Sequence, residues 1–196
     1  MFKRIIKPEM FVLDIGANMG YYSLLSVKLM KGTGKIISFE PTSEGFKRLK
    51  TNVLKNSFKD IFLEKIGISN ENKELKAKIR SSWKMKELED PIEEEISLMK
   101  LDDYVKQNKL KKIDFIKIDV DGYGYEILKG AKNTLEKHRP ILCIEMGNYE
   151  NSFPRYNLRE ITSFLKSLGV IIFIWKTDRR QMQKRLLKKG KLQIFF

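Results

Sequence analysis

The 196-residue sequence has little of what staples a chain or takes it through a bilayer: one cysteine and no apolar run longer than Val170 to Trp175. A lone Cys143 cannot form an intrachain disulfide, so a reducing compartment, the cytoplasm, is the expected location. The apolar run falls far short of the roughly 20 residues of a spanning helix. The N-terminus, MFKRIIKPEM, is basic but meets Pro8 and Glu9 before a signal-peptide apolar region can develop. Internal repeats are absent, and the length suits a single domain over residues 1–196 with a full core.

What the sequence has in excess is positive charge. Thirty-nine Lys and Arg against 25 Asp and Glu give +14, with a pI near 9.7. Half of it falls in residues 176–191, where eight cations face Asp178 alone. Such a balance fits nucleic acid, an anionic membrane surface or an acidic substrate. It equally fits a lysine-rich composition whose charge run is a solvated face.

Short β-branched and aromatic runs alternate with segments of helical period. Strands are expected at 11–15, 35–39, 61–68, 115–120, 141–145 and 170–175, with a last one at 192–196. Helices are expected at 21–30, 43–56 (Phe46, Leu49, Val53 and Leu54 on one face), 101–108, 125–137 and 158–168. Residues 74–79 read as a hairpin partner of the third strand, and 95–99 as a short edge strand. Residues 81–95, which lack a period and carry Pro91, read as an excursion. The alternation implies βαβ units and a parallel sheet covered on both faces. The two final strands, joined by the basic segment, could form an antiparallel hairpin.

In such a sheet, ligands bind beyond the carboxyl ends of the strands where strand order reverses. The loop after the first strand, in VLDIGANMGYYS, is therefore the default site. Gly16 and Gly20 let backbone approach a ligand, and a helix from Tyr21 would aim free N–H groups at it. Glu40, in ISFEP, lies twenty residues past Gly20, where a carboxylate accepts from both ribose hydroxyls of an adenosine cofactor. The loop is G-x-x-x-G, preceded by Asp14, and not the dinucleotide G-x-G-x-x-G. An acid there suits the ammonium and sulfonium of S-adenosylmethionine and would repel the pyrophosphate of NAD. The alternative is that Asp14 and Asn18 only cap the turn.

DIGANMGYYS, ISFEP, LDDYV, FIKIDVDG, EILKGA and ILCIEM, in that order and spacing, resemble the FkbM-type S-adenosylmethionine-dependent methyltransferases over about residues 10–148. The resemblance implies a Rossmann-like class I methyltransferase fold: a three-layer α/β sandwich on a mostly parallel seven-stranded sheet with an antiparallel last strand. It implies that Asp14, Gly16, Ala17, Asn18, Gly20 and Tyr21 line the methionine end. Glu40 and Pro41 would hold the ribose, and Ile66-Gly67 would border the adenine.

Methyl transfer to an alcohol needs alignment of the nucleophile and a base near the oxygen. Asp119, Asp121 and Glu145 are the remaining acids at strand ends, and one of them is the expected base. Asp119 and Glu145 with Asn148 could instead chelate a divalent cation. The bland readings are that Asp119 caps a helix and Glu145 pairs with Arg139. His138 fits a helix-terminal role, and Cys143 fits the core.

Two features depart from the family pattern. Gly124 stands where many relatives carry a second acid, and only about ten residues precede the first strand, so a cap from that side is missing. Acceptor binding then falls to residues 81–95, the 147–156 loop and the basic hairpin. The expected acceptor is a hydroxyl on a small molecule or glycan. One alternative is RNA ribose, with residues 176–191 on phosphates and Tyr149, Phe153 and Tyr156 stacking on bases. The other is a cofactor-binding module without turnover.

Overall fold

The computed structural model describes residues 2–79, 92–120, 122–145, 158–169 and 171–175. In chain order the elements are α1 (Phe2–Ile5), β1 (Phe11–Ile15), α2 (Tyr21–Leu29), β2 (Lys35–Phe39), α3 (Ser43–Lys55), β3 (Ile61–Glu64), β4 (Gly67–Ser69) and β5 (Lys73–Ile79). There follow β6 (Ile92–Lys100), α4 (Leu101–Gln107), β7 (Phe115–Ile118), α5 (Gly124–Lys129), α6 (Lys132–His138), β8 (Ile141–Glu145), α7 (Leu158–Leu168) and β9 (Ile171–Trp175).

Six strands form one sheet in the order β3-β2-β1-β7-β8-β9, and every pairing in it is parallel. Their Ile- and Val-rich sequences are apolar on both faces, as a sheet covered on both sides requires. Leu13, Ile37, Ile116, Leu142 and their neighbours pack against α4 to α7. The alternate residues Val12, Ile36, Phe115 and Cys143 pack against α1 to α3. The result is three layers with strand order reversing between β1 and β7. Among the described residues no helix is long and apolar enough to cross a membrane.

The expected third strand is two. β3 ends at Glu64, and the chain leaves the main sheet to begin β4, where a Cβ on Gly67 would lie 2.6 Å from Leu98 Cδ2. β4 joins a second sheet, ordered β4-β6-β5. β5 is therefore the antiparallel partner of β6 and not of the third strand. β6 is a nine-residue central strand and not a short edge. Its sequence hides this because Glu93 and Glu95 sit opposite Lys78 and Lys76, so charge pairs in place of an apolar face help hold the ladder. Residues 92–95 of the expected excursion belong to this strand; the rest of it lies outside the described residues. Glu94 turns back to the main body, accepting from Ser43 N–H (2.7 Å) at the start of α3.

The expected helix over 125–137 breaks at Gly130, where a Cβ would be 2.0 Å from the Ser69 carbonyl. The second half starts on a borrowed cap: the Asp102 carboxylate accepts from Asn133 N (3.0 Å) and from Thr134 N and Oγ1 (2.7 Å each). In α3, Leu49 and Val53 are buried as expected, but Leu54 is exposed. The first residues are more than a lead-in: α1 places Phe2 against Tyr22 (stacked, centroids 4.7 Å) and Phe115. The expected strand at 192–196, and with it the antiparallel partner and a seventh strand, lies outside the described residues.

Candidate cofactor and active site

The loop after β1 is closed by its own backbone. Gly16 N–H and Ala17 N–H both donate to the Phe39 carbonyl (3.0 and 2.9 Å), and Gly20 N–H donates to the Ala17 carbonyl. Gly16 has φ +73°, and a Cβ there would stand 2.0 Å from the Asp119 carbonyl oxygen; at Gly20 (φ +88°) it would stand 2.6 Å from Leu49 Cδ1. Collisions that require glycine are thus already present within the protein, with the residue that follows β7 and with α3. Their effect is to draw the loop against the strand ends, with α2 starting at Tyr21.

Glu40 ends β2 inside this loop and is 7% exposed. Its Oε2 accepts from Asn18 N–H (2.9 Å); its Oε1 accepts from Thr42 N–H (3.0 Å) and Thr42 Oγ1 (2.5 Å). A carboxylate offers about four acceptor positions, so three are filled from within and one remains on the Asn18 side. Gly45, whose Cβ would be 2.7 Å from Glu40 Oε1, lets α3 close against the carboxylate. Pro41 lies against Gly67 (3.5 Å to a Cβ there), so Glu40, Pro41 and the Ile66-Gly67 corner share one side of the site.

Beneath the loop runs a polar row that motif reading misses. Ser38, Asp14, Lys117 and Cys143 stand in register across β2, β1, β7 and β8 on the face covered by α2. Lys117 Nζ lies 2.8 Å from Asp14 Oδ1 and 3.5 Å from Asp119 Oδ2, and it donates to the Gly16 carbonyl at 2.8 Å. Ser23 Oγ donates to Asp14 Oδ2 (2.6 Å) and lies 2.7 Å from Ser38 Oγ. Tyr22 covers the ammonium with its ring at 5.0 Å. Burial alone would lower the Lys117 pKa, but Asp14 and then Asp119 outweigh it and hold it above the ordinary value. Burial, and then Asp119, raise the Tyr22 hydroxyl. A signal existed: each of these strands carries one small or charged residue inside an apolar run, as in FIKI.

Asp14 is 1% exposed and ion-paired, so it faces the core and not the loop. Its carboxylate supports the loop from below through Lys117. Asp119 is the acid at the site surface, its side chain 30% exposed at the end of β7 beside Gly16. Glu145 ends β8, half-buried. Asp121, Asn148, the 147–156 loop and residues 176–191 lie outside the described residues. Among the described residues, no group of three His, Cys, Asp or Glu could hold a metal ion. Gly124 starts α5, and a Cβ there would lie 2.9 Å from Ile144 Cδ1, the end of a side chain that a small shift would clear. Tyr21 is 64% exposed at the loop.

The remaining candidates are structural. Cys143 is fully buried, and burial pushes its thiol pKa up, as a core residue's would be. His138 does end α6, but burial and then Lys137 lower its pKa, so Lys137 and Arg139 supply the positive charge there.

A strand order of 3-2-1 followed by the fourth and fifth main-sheet strands, a glycine loop after the first and an acid following the second is a Rossmann-like arrangement. Comparison with solved structures gives the same fold. A candidate rRNA methylase from Clostridium thermocellum superposes with a TM-score of 0.54 at 10% identity, over 84% of this chain and 74% of that one. A precorrin-6y C5,15-methyltransferase from Geobacter metallireducens GS-15 is a looser match, with a TM-score of 0.47 at 15% identity, over 85% and 66%. No curated protein matches the chain. The methyltransferase FkbM domain model, however, matches residues 14–172, from the acid below the glycine loop into β9, and the chain belongs to that methyltransferase family.

Proposed function

We propose that the protein transfers the methyl group of S-adenosylmethionine to a hydroxyl of a small molecule or glycan. The observation that carries this is the Asn18 N–H to Glu40 bond, which locks the glycine loop to the acid ending β2. That leaves one Glu40 acceptor position for a ribose hydroxyl. Pro41 and the Ile66-Gly67 corner would flank the adenine, and the loop from Gly16 to Tyr21 would hold the amino-acid end.

The bound cofactor supplies an activated methyl carbon. The chain's own residues align the acceptor and take its proton. The reading assigns that role to Asp119, which follows β7 beside Gly16 and lies 3.5 Å from Lys117 Nζ. Asp121 and Glu145 are the neighbouring candidates, and a divalent cation shared with Asn148 would be an alternative way to activate the hydroxyl.

A panel of sugar and phenol acceptors with labelled cofactor tests the reading. Once an acceptor is found, Asp119→Asn should lower turnover by about 10²–10⁴-fold. It should leave affinity for S-adenosylhomocysteine within a few-fold. If affinity collapses instead, Asp119 holds the cofactor and another group is the base. The RNA-ribose reading rests on the sequence of residues 176–191, and RNA binding that fell steeply with salt would support it. Tight cofactor binding without methylation of any acceptor would support a binding module.

A further inference from the structure

The positive charge of this protein is sorted by the sheet. All six main strands run the same way, so the connections entering β2, β3, β7 and β8 share the edge opposite the glycine loop. Residues 30–35, 55–60, 108–114 and 137–140 hold nine Lys and Arg against Asp60 and Asp114. All nine cations are exposed. The opposite edge instead carries Glu40, Glu64, Asp119 and Glu145, against Lys65 beside Glu64.

The rim is a built surface and not a set of loose loops. Lys35 N–H donates to the Met10 carbonyl (3.0 Å), Ile36 N–H to Asp60 (2.9 Å), Asp114 N–H to Phe11 (2.9 Å) and Ile141 N–H to Asp114 (2.9 Å). Asp114 is consumed within it, accepting from Phe11 N–H at 2.7 Å and pairing with Lys112 at 3.1 Å.

A purely structural explanation exists: α2, α3, α4 and α6 all end at this edge, and cations complement helix C-termini. Four ends at about half a negative charge each call for about two cations. The net charge of the four connections is +7. Most of it is left over.

We propose that this rim docks the protein on an anionic bilayer surface, with the methyl-transfer edge facing away from it. Eight of the nine cations are lysines, point charges suited to diffuse attraction more than to forked recognition of single phosphates. Leu54 and Phe62, 67% and 48% exposed, lie next to Lys55 and three residues past Lys59 in the sequence, and offer apolar contact at the headgroup level. Five-residue strands put the two edges about 16 Å apart, so a protein docked by the rim presents the glycine loop away from the surface. The proposal is independent of which acceptor the enzyme uses.

The test is sedimentation of the full chain with vesicles of phosphatidylcholine, alone or with about 30% phosphatidylglycerol. Binding to the anionic vesicles only, lost at about 0.5 M salt, is expected. Lys31→Glu/Lys35→Glu/Lys109→Glu/Lys111→Glu should lose about 100-fold or more in partitioning. A variant reversed elsewhere, Lys47→Glu/Lys50→Glu/Lys132→Glu, should stay within a few-fold of wild type, with both variants melting as the wild type does. If the fourfold rim variant fails to fold, the single reversals should each lose about fivefold. No anionic-vesicle binding by the wild type, equal loss in both variants, or duplex-RNA binding that the rim variant loses and the control variant keeps would each overturn the proposal.

Discussion

Lys117→Met should destabilise the protein by about 3–5 kcal/mol, because it strands the Asp14 carboxylate in the core. Asp14 is 1% exposed, and without the ammonium at 2.8 Å it keeps only the Ser23 hydroxyl. Total stabilities of about 5–15 kcal/mol make that a large share. Asp14→Asn should cost less, since Lys117 would retain the Gly16 carbonyl and Asp119. Asp14→Asn/Lys117→Met, which removes both charges, should recover much of the loss. Urea unfolding of the three variants measures the order. A Lys117→Met protein within about 1 kcal/mol of wild type would mean the pair is not desolvated as described.

Gly16→Ala should cost about 3 kcal/mol or more, and Gly32 provides the control. The two have nearly the same backbone, φ +73° and +72°, so the conformational strain of an alanine is common to both, about 1–2 kcal/mol. They differ in what the new Cβ meets: the Asp119 carbonyl at 2.0 Å for Gly16, and nothing within 4 Å for Gly32. The excess cost of Gly16→Ala over Gly32→Ala is therefore the clash with β7, which has to move the loop or the strand end. Affinity for S-adenosylhomocysteine should drop with Gly16→Ala and be kept with Gly32→Ala. Equal costs for the two alanines would contradict the close loop-to-strand contact.

The main sheet was legible because buried parallel strands are written as continuous Ile, Val and Phe runs, and the bounds of β1, β2 and β8 follow from FVLDI, KIISF and ILCIE alone. β6 was not, because its ladder is held partly by Glu–Lys pairs that look like solvated sequence. The break at Gly130 depends on the Ser69 carbonyl, 61 residues earlier, which no local pattern reveals. In the site, the glycine loop and Glu40 came from spacing. The sign argument read Asp14 against a cationic ligand, while its partner in the structure is Lys117 in the core. A buried lysine is readable only once the strands are in register, and then FIKI beside VLDI becomes a charge pair.

The central claim is that the Glu40–Asn18 junction holds an S-adenosyl nucleoside, and titration calorimetry with S-adenosylhomocysteine tests it most directly. Wild type and Glu40→Ala are compared, with NAD as the control ligand and urea unfolding as the check that both are folded. The expected result is micromolar binding by wild type, a loss of tenfold or more (about 1.4 kcal/mol) in the variant, and no heat with NAD. Binding that is unchanged in a folded Glu40→Ala protein, or absent in the wild type, would contradict the account.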